Sequence, residues 1–122
     1  MNYGYQRYKE QAVNTMTKSE MLQLLYNEML KRLTRAGMAI DEKNDEIFEQ
    51  SITRATEIVQ YLMDTLDMNY AISNELMRMY HFFLYELSRI KSSKKKEIIE
   101  ELKPLVVELK DAFLEAGKRS GY

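Results

Sequence analysis

No cysteine occurs among the 122 residues of this chain, which excludes disulfide frameworks and thiolate metal sites. Histidine occurs once, as His81. A di-metal centre in a helical bundle needs two Glu-x-x-His pairs, and one histidine cannot supply them. A lone histidine with no serine or cysteine nucleophile in a recognisable motif also lacks the companions that base catalysis needs. The four glycines are scattered at Gly4, Gly37, Gly117 and Gly121, so none builds a phosphate-cradling loop. The polar stretch from Asp41 to Glu46 has neither the alternating ligands nor the central glycine of a calcium loop and reads as a solvated turn. These absences predict a protein that is not an enzyme and that carries no metal and no cofactor.

Charge of one sign is missing too. Lys plus Arg total 18 and Asp plus Glu total 19. Such a balance argues against a nucleic-acid partner, which selects a basic face, and gives little attraction to an anionic membrane. No apolar run approaches the ~20 residues of a membrane span. The stretch from Met1 to Glu10 is polar and tyrosine-rich, without the apolar centre of a signal peptide. The expectation is a soluble cytoplasmic protein with no membrane insertion. Lys94-Lys95-Lys96 is followed by Glu97, Glu100 and Glu101, a pattern of i,i+4 pairs on a solvated face.

What the chain has is helical periodicity. Thr17-Lys18-Ser19-Glu20 is a capping box, and Leu22, Leu25, Met29, Leu33, Ala36 and Ile40 follow at steps of three and four, one apolar face of a helix. A second stripe, Phe48, Ile52, Ala55, Val59, Leu62 and Leu66, predicts a helix over about residues 46–66. After a break at Asp67-Met68-Asn69, a third stripe runs through Ile72, Leu76, Met79, Phe83, Leu87 and Ile90. Ser92 or Ser93 is placed to cap a fourth helix carrying Ile98, Leu102, Leu105, Leu109, Phe113 and Ala116, with Gly117 as its stop. Pro104 falls inside that stripe, and the surviving apolar phase predicts a bend rather than two helices. Four amphipathic helices with short links predict an all-α antiparallel four-helix bundle. It spans residues 17–118, after an N-terminal segment of residues 1–16 that is flexible or lies on the surface and before a tail of residues 119–122.

The helices carry more apolar surface than one stripe each. Met21, Leu24, Tyr26, Leu30 and Met38 lie off the first stripe; Tyr61, Met63, Tyr70, Met77, Tyr80, Phe82, Leu84 and Tyr85 lie off the second and third; Ile99, Val106, Val107 and Leu114 lie off the fourth. Part of this surplus widens the bundle core. The set as a whole predicts a partner surface. The nine methionines and nine tyrosines suit it, since methionine repacks against varied surfaces and tyrosine joins contact area to a polar tip.

Tyr8, Val13 and Thr15, then Leu25-Tyr26, open a pattern that continues through Ala55, Ile58 and Leu66-Asp67. It goes on through Ile72-Ser73, Leu76 and Met79-Tyr80 to Leu109-Lys110-Asp111-Ala112-Phe113. In order and spacing, over nearly the whole chain, this resembles the flagellar secretion chaperone family, FliS. Lys18 stands where that family commonly has proline, Glu75 where asparagine is frequent, and Phe113 where tryptophan is usual. The resemblance implies a bacterial cytoplasmic chaperone that holds the disordered C-terminal segment of flagellin in a one-to-one complex, prevents premature polymerisation and keeps the subunit fit for export. It also implies contacts with the export gate and an anti-sigma factor in some members, and an N-terminal segment that lies in part of the groove in the free protein. The candidate flagellin-contacting residues are Tyr8, Val13, Tyr26, Met29, Tyr61, Tyr80, Phe83 and Leu87, of which Met29, Phe83 and Leu87 also fall on core stripes. The rival use of the same apolar surface is self-association, as a homodimer or a structural homo-oligomer.

Overall fold

The computed structural model describes the backbone of residues 16–120 and the side chains of residues 16–115. Four helices run through them: α1 (Lys18–Asp41), α2 (Asp45–Asp64), α3 (Ile72–Ser93) and α4 (Lys96–Ser120). No strand occurs among the described residues. Each helix packs on its neighbour in sequence, and α4 returns to pack on α1. Short links force this alternation of direction, and the all-α antiparallel bundle expected from the stripes is what forms. The seams of α1 with α2 and α4 are the broadest, and the seam between α3 and α4 is the thinnest.

Local chemistry sets the helix starts. The Thr17 hydroxyl accepts from the Glu20 backbone N–H at 3.1 Å, as the capping box predicts. Asn44 caps α2, its side chain accepting from the Ile47 N–H at 3.1 Å, and Asp45 and Glu46 in the first turn complement the helix dipole. Ser92 and Ser93 do not cap α4 as expected. Both lie in the last turn of α3, where their hydroxyls donate to the Arg89 carbonyl at 3.3 and 2.7 Å. Lys94 then takes a left-handed conformation, φ 54°, which reverses the chain before α4 begins. α4 is one helix through Pro104, whose side chain faces solvent. It also runs through Gly117, because glycine permits a stop without requiring one.

Apolar burial holds the ring together. Met29, Leu33 and Ala36 of α1, Phe48, Ile52 and Val59 of α2, Phe83, Leu87 and Ile90 of α3, and Leu102 and Val106 of α4 are all fully buried. The phase of α1 differs from its predicted stripe: Tyr26 and Ala39 are interior, whereas Leu22, Leu25 and Ile40 are only half-buried. The sequence offers Leu24, Leu25 and Tyr26 in succession, and rotation of the helix by one residue decides which is covered. Tyr26 is chosen because its ring and its hydroxyl both find partners. The Tyr26 and Tyr80 phenol oxygens lie 2.6 Å apart across the diagonal of the bundle, and the Tyr26 ring packs at 5.9 Å from that of Phe113.

The two ends of the bundle differ. At the end formed by the α1–α2 and α3–α4 links, Lys94 Nζ donates to Asp45 at 2.8 Å and Lys96 Nζ to Asp41 at 2.6 Å. These hydrogen bonds raise both lysine pKa values above their ordinary range. Lys94 Nζ also lies 5.6 Å from the Phe48 ring centroid, a cation–π contact. At the opposite end α3 starts at Ala71 with no side-chain cap.

A double-mutant cycle tests the diagonal tyrosine pair. Urea unfolding of Tyr26→Phe, Tyr80→Phe and the double variant is expected to return a coupling of about 1 kcal/mol, the net value of a buried hydrogen bond. Strict additivity of the two substitutions would show that the phenols contribute only as packed rings.

Candidate partner-binding site

The end framed by the α2–α3 link holds a cavity of about 350 Å³. Antiparallel packing brings the start of α1, the end of α2, the start of α3 and the end of α4 to one place. Each then contributes an apolar side chain whose own stripe has run out of neighbours. Leu22 comes from α1, Leu62 from α2, Ile72 and Leu76 from α3 and Phe113 from α4. Leu66 and Tyr70 of the α2–α3 link complete the wall. Tyr80, 1% exposed, lies behind them, so one member of the diagonal phenol pair lines the cavity.

The α2–α3 link keeps this mouth in shape. The Asp67 side chain accepts from the Asn69 N–H at 3.0 Å, a local turn of the kind aspartate favours. The Ser73 hydroxyl donates to the Asp67 carbonyl, and Thr65 donates to the Tyr61 carbonyl at 2.9 Å. On the far side Ser19 donates to the Phe113 carbonyl at 3.0 Å and accepts from Gln23 at 3.2 Å, tying α1 to α4. The lining hydroxyls of Thr65 and Ser73 therefore answer main-chain carbonyls. What faces the cavity is mainly carbon, with the charges of Lys18 and Asp67 at an exposed rim. Pockets of this size and character bind apolar groups.

Around the mouth Tyr70 is 59%, Ile72 55% and Met68 49% exposed. These large apolar side chains, adjacent to a cavity, are the kind of patch that marks a protein contact. Among the described residues no group of three or more His, Cys, Asp or Glu side chains is placed to hold a metal, and His81 is exposed on α3 outside the cavity lining. No helix of the described residues is long and apolar enough to cross a membrane.

The sequence-predicted contact residues separate into three groups. Tyr61 is 46% exposed on α2. Tyr26, Met29, Phe83 and Leu87 are at most 1% exposed, inside the core, and Tyr80 reaches only the cavity wall. The bundle as it stands gives a partner no access to the first four, because each lies on the face where its helix meets the others. Tyr8 and Val13 lie outside the described residues. The cavity residues Leu22, Leu66, Ile72, Leu76 and Phe113 were read from the sequence as core. Their signal was position: Leu22, Leu66 and Ile72 are the terminal members of their stripes, and Leu76 and Phe113 stand next to the terminal ones.

The chain is similar to known proteins. The family model described as flagellar protein FliS matches residues 1–120. The chain is also 29% identical over 112 residues to the flagellar secretion chaperone FliS of Bacillus subtilis (strain 168), an alignment covering 92% of this chain and 84% of the relative.

The cavity mouth is testable without a partner. Ile72→Asp places a carboxylate in the first turn of α3, where the helix dipole welcomes it, so stability should change by no more than about 0.5 kcal/mol. Fluorescence of an apolar-surface dye should fall. Unchanged dye binding would mean that the exposed apolar surface lies elsewhere.

Proposed function

The chain belongs to the flagellar protein FliS family, and from that premise we propose that it is a cytoplasmic export chaperone whose cargo is the disordered C-terminal segment of flagellin. The observation that carries this reading is the open apolar cavity with its exposed rim of Met68, Tyr70 and Ile72. A disordered segment loses conformational entropy when it is ordered, so its binding needs apolar anchors that enter pockets. Cavity and rim supply them at one end of a bundle whose opposite end is pinned by ion pairs.

Once its apolar positions are held here, the flagellin segment is unavailable for filament contacts and stays unfolded for type III secretion. One segment occupies one chaperone. Tyr61 extends the contact along α2. Tyr80 acts from the cavity wall, while Tyr26, Met29, Phe83 and Leu87 act only through the shape they give it. Tyr8 and Val13 join the contact set on the family resemblance alone, as do an export-gate component and an anti-sigma factor as further partners. The protein works by binding and has no catalytic role.

Sedimentation of the full chain with a flagellin C-terminal peptide tests this reading. A one-to-one heterodimer is expected, and Ile72→Asp should weaken it by about tenfold or more, the cost of placing an unpaired charge in an apolar contact. A homo-oligomer that ignores the peptide would instead establish self-association as the use of this surface.

A further inference from the structure

α3 carries a second stripe, on the side turned away from the core. Arg78, Phe82, Tyr85 and Arg89 stand at steps of four, three and four, which places them in one line along the helix. All four are exposed, Phe82 by 42% and Tyr85 by 60%. They are not spare core residues, since the buried face of α3 is formed by Leu76, Tyr80, Phe83, Leu87 and Ile90. None of the four lines the cavity.

The stripe is arranged before any partner arrives. Glu86, only 5% exposed, accepts from Arg89 Nη1 at 2.9 Å. That bond holds the guanidinium 5.8 Å from the centroid of the Tyr85 ring. The Phe82 ring rests 6.5 Å from the buried Phe83 ring. Little side-chain freedom is then left to lose at these three positions on binding. Arg78, at the other end, forms no ion pair with a described residue.

Arginine and aromatic side chains are the types that dominate binding energy at protein interfaces. The pattern here is two rings between two guanidiniums about 16 Å apart along the axis, at about 1.5 Å per residue. Its complement is a helix with apolar residues at its centre and a carboxylate near each end. The neighbouring helix adds a constraint. α4 exposes Glu97, Glu101 and Glu108, and the Glu101 charge acts on Arg89 across the thin α3–α4 seam. A uniformly acidic helix would be repelled by this row.

We propose that the Arg78–Phe82–Tyr85–Arg89 stripe docks an amphipathic helix of a second protein, carboxylate-bearing over the two arginines and basic along the edge beside α4. This surface is separate from the cavity, so both are occupied at once. Because attraction lies along the stripe and repulsion of acids along its α4 edge, the stripe selects the charge pattern of its partner.

The probe is a labelled synthetic peptide of about 18 residues, long enough for helix to form on the surface. It carries central leucines, glutamates spaced to meet Arg78 and Arg89, and lysines on the α4 edge. Its twin exchanges every glutamate and lysine. Fluorescence anisotropy on the full chain, alone and with saturating flagellin C-terminal peptide, is expected to show the probe binding about tenfold or more tightly than the twin in both conditions. Arg78→Gln with Arg89→Gln should leave only the part of that preference that the α4 glutamates supply, and Arg78→Glu with Arg89→Glu should cut it further by weakening the probe and strengthening the twin, with the circular dichroism of all variants unchanged. Equal binding of probe and twin, or no binding of either, overturns the proposal. Displacement of the probe by the flagellin peptide overturns it as well, by placing the probe at the cavity. Failure of flagellin to bind would leave the comparison of probe and twin fully readable.

Discussion

Deep in the bundle the phenol oxygens of Tyr26 and Tyr80 meet at 2.6 Å, and much of the structure is arranged around keeping them there. The two tyrosines are 0% and 1% exposed, and hydroxyls in an apolar interior are tolerated only when they are satisfied. The contact fixes the rotation of α1 about its axis, because only one rotation brings Tyr26 inward. That rotation leaves Leu22 and Leu25 half-buried and Leu24 at the surface. It also sets the level at which the core closes on the side of the α2–α3 link. Below the pair the four helices are packed; above it their terminal residues line a cavity.

The contrast between the ends follows from the links. The α1–α2 and α3–α4 turns are short and carry the two long-range ion pairs, Lys96–Asp41 and Lys94–Asp45, on side chains that lie 42–77% open to solvent. Exposed pairs contribute little to stability individually; their effect here is to set the register between helices. The α2–α3 link is longer and its polar groups are spent on its own turn, as with Ser73 and Thr65. It therefore frames an opening without filling it, and leaves Met68, Tyr70 and Ile72 at the edge. Pinning one end while leaving the other apolar and open suits a protein whose task is to hold a chain.

Much of this was legible in the residues. Thr17 with Glu20 announces a helix start through a hydrogen bond that is local in sequence, whereas Asn44, read only as part of a turn, proves to be the cap of α2. The α2 stripe from Phe48 to Leu62 is interior as its spacing demands. Periodicity is less informative where apolar residues adjoin, as at Leu24-Leu25-Tyr26 or Met79-Tyr80, because either neighbour satisfies the pattern and only the distant partner decides. Tyrosine misled for the same reason. An amphipathic side chain reads as interface, yet Tyr26 and Tyr80 answer each other and become core. The cavity was hidden because its walls are good stripe residues, and nothing local records that the bundle ends beside them.

The chain belongs to the FliS family, and the proposal built on its cavity is that flagellin is anchored at the open end. Photo-crosslinking tests it most directly. A photoreactive phenylalanine in place of Tyr70, at the mouth, should crosslink to a bound flagellin C-terminal segment. The same residue in place of Met38, 55% exposed towards the pinned end of α1, should not. Crosslinking from position 38 and not from position 70 would contradict the account.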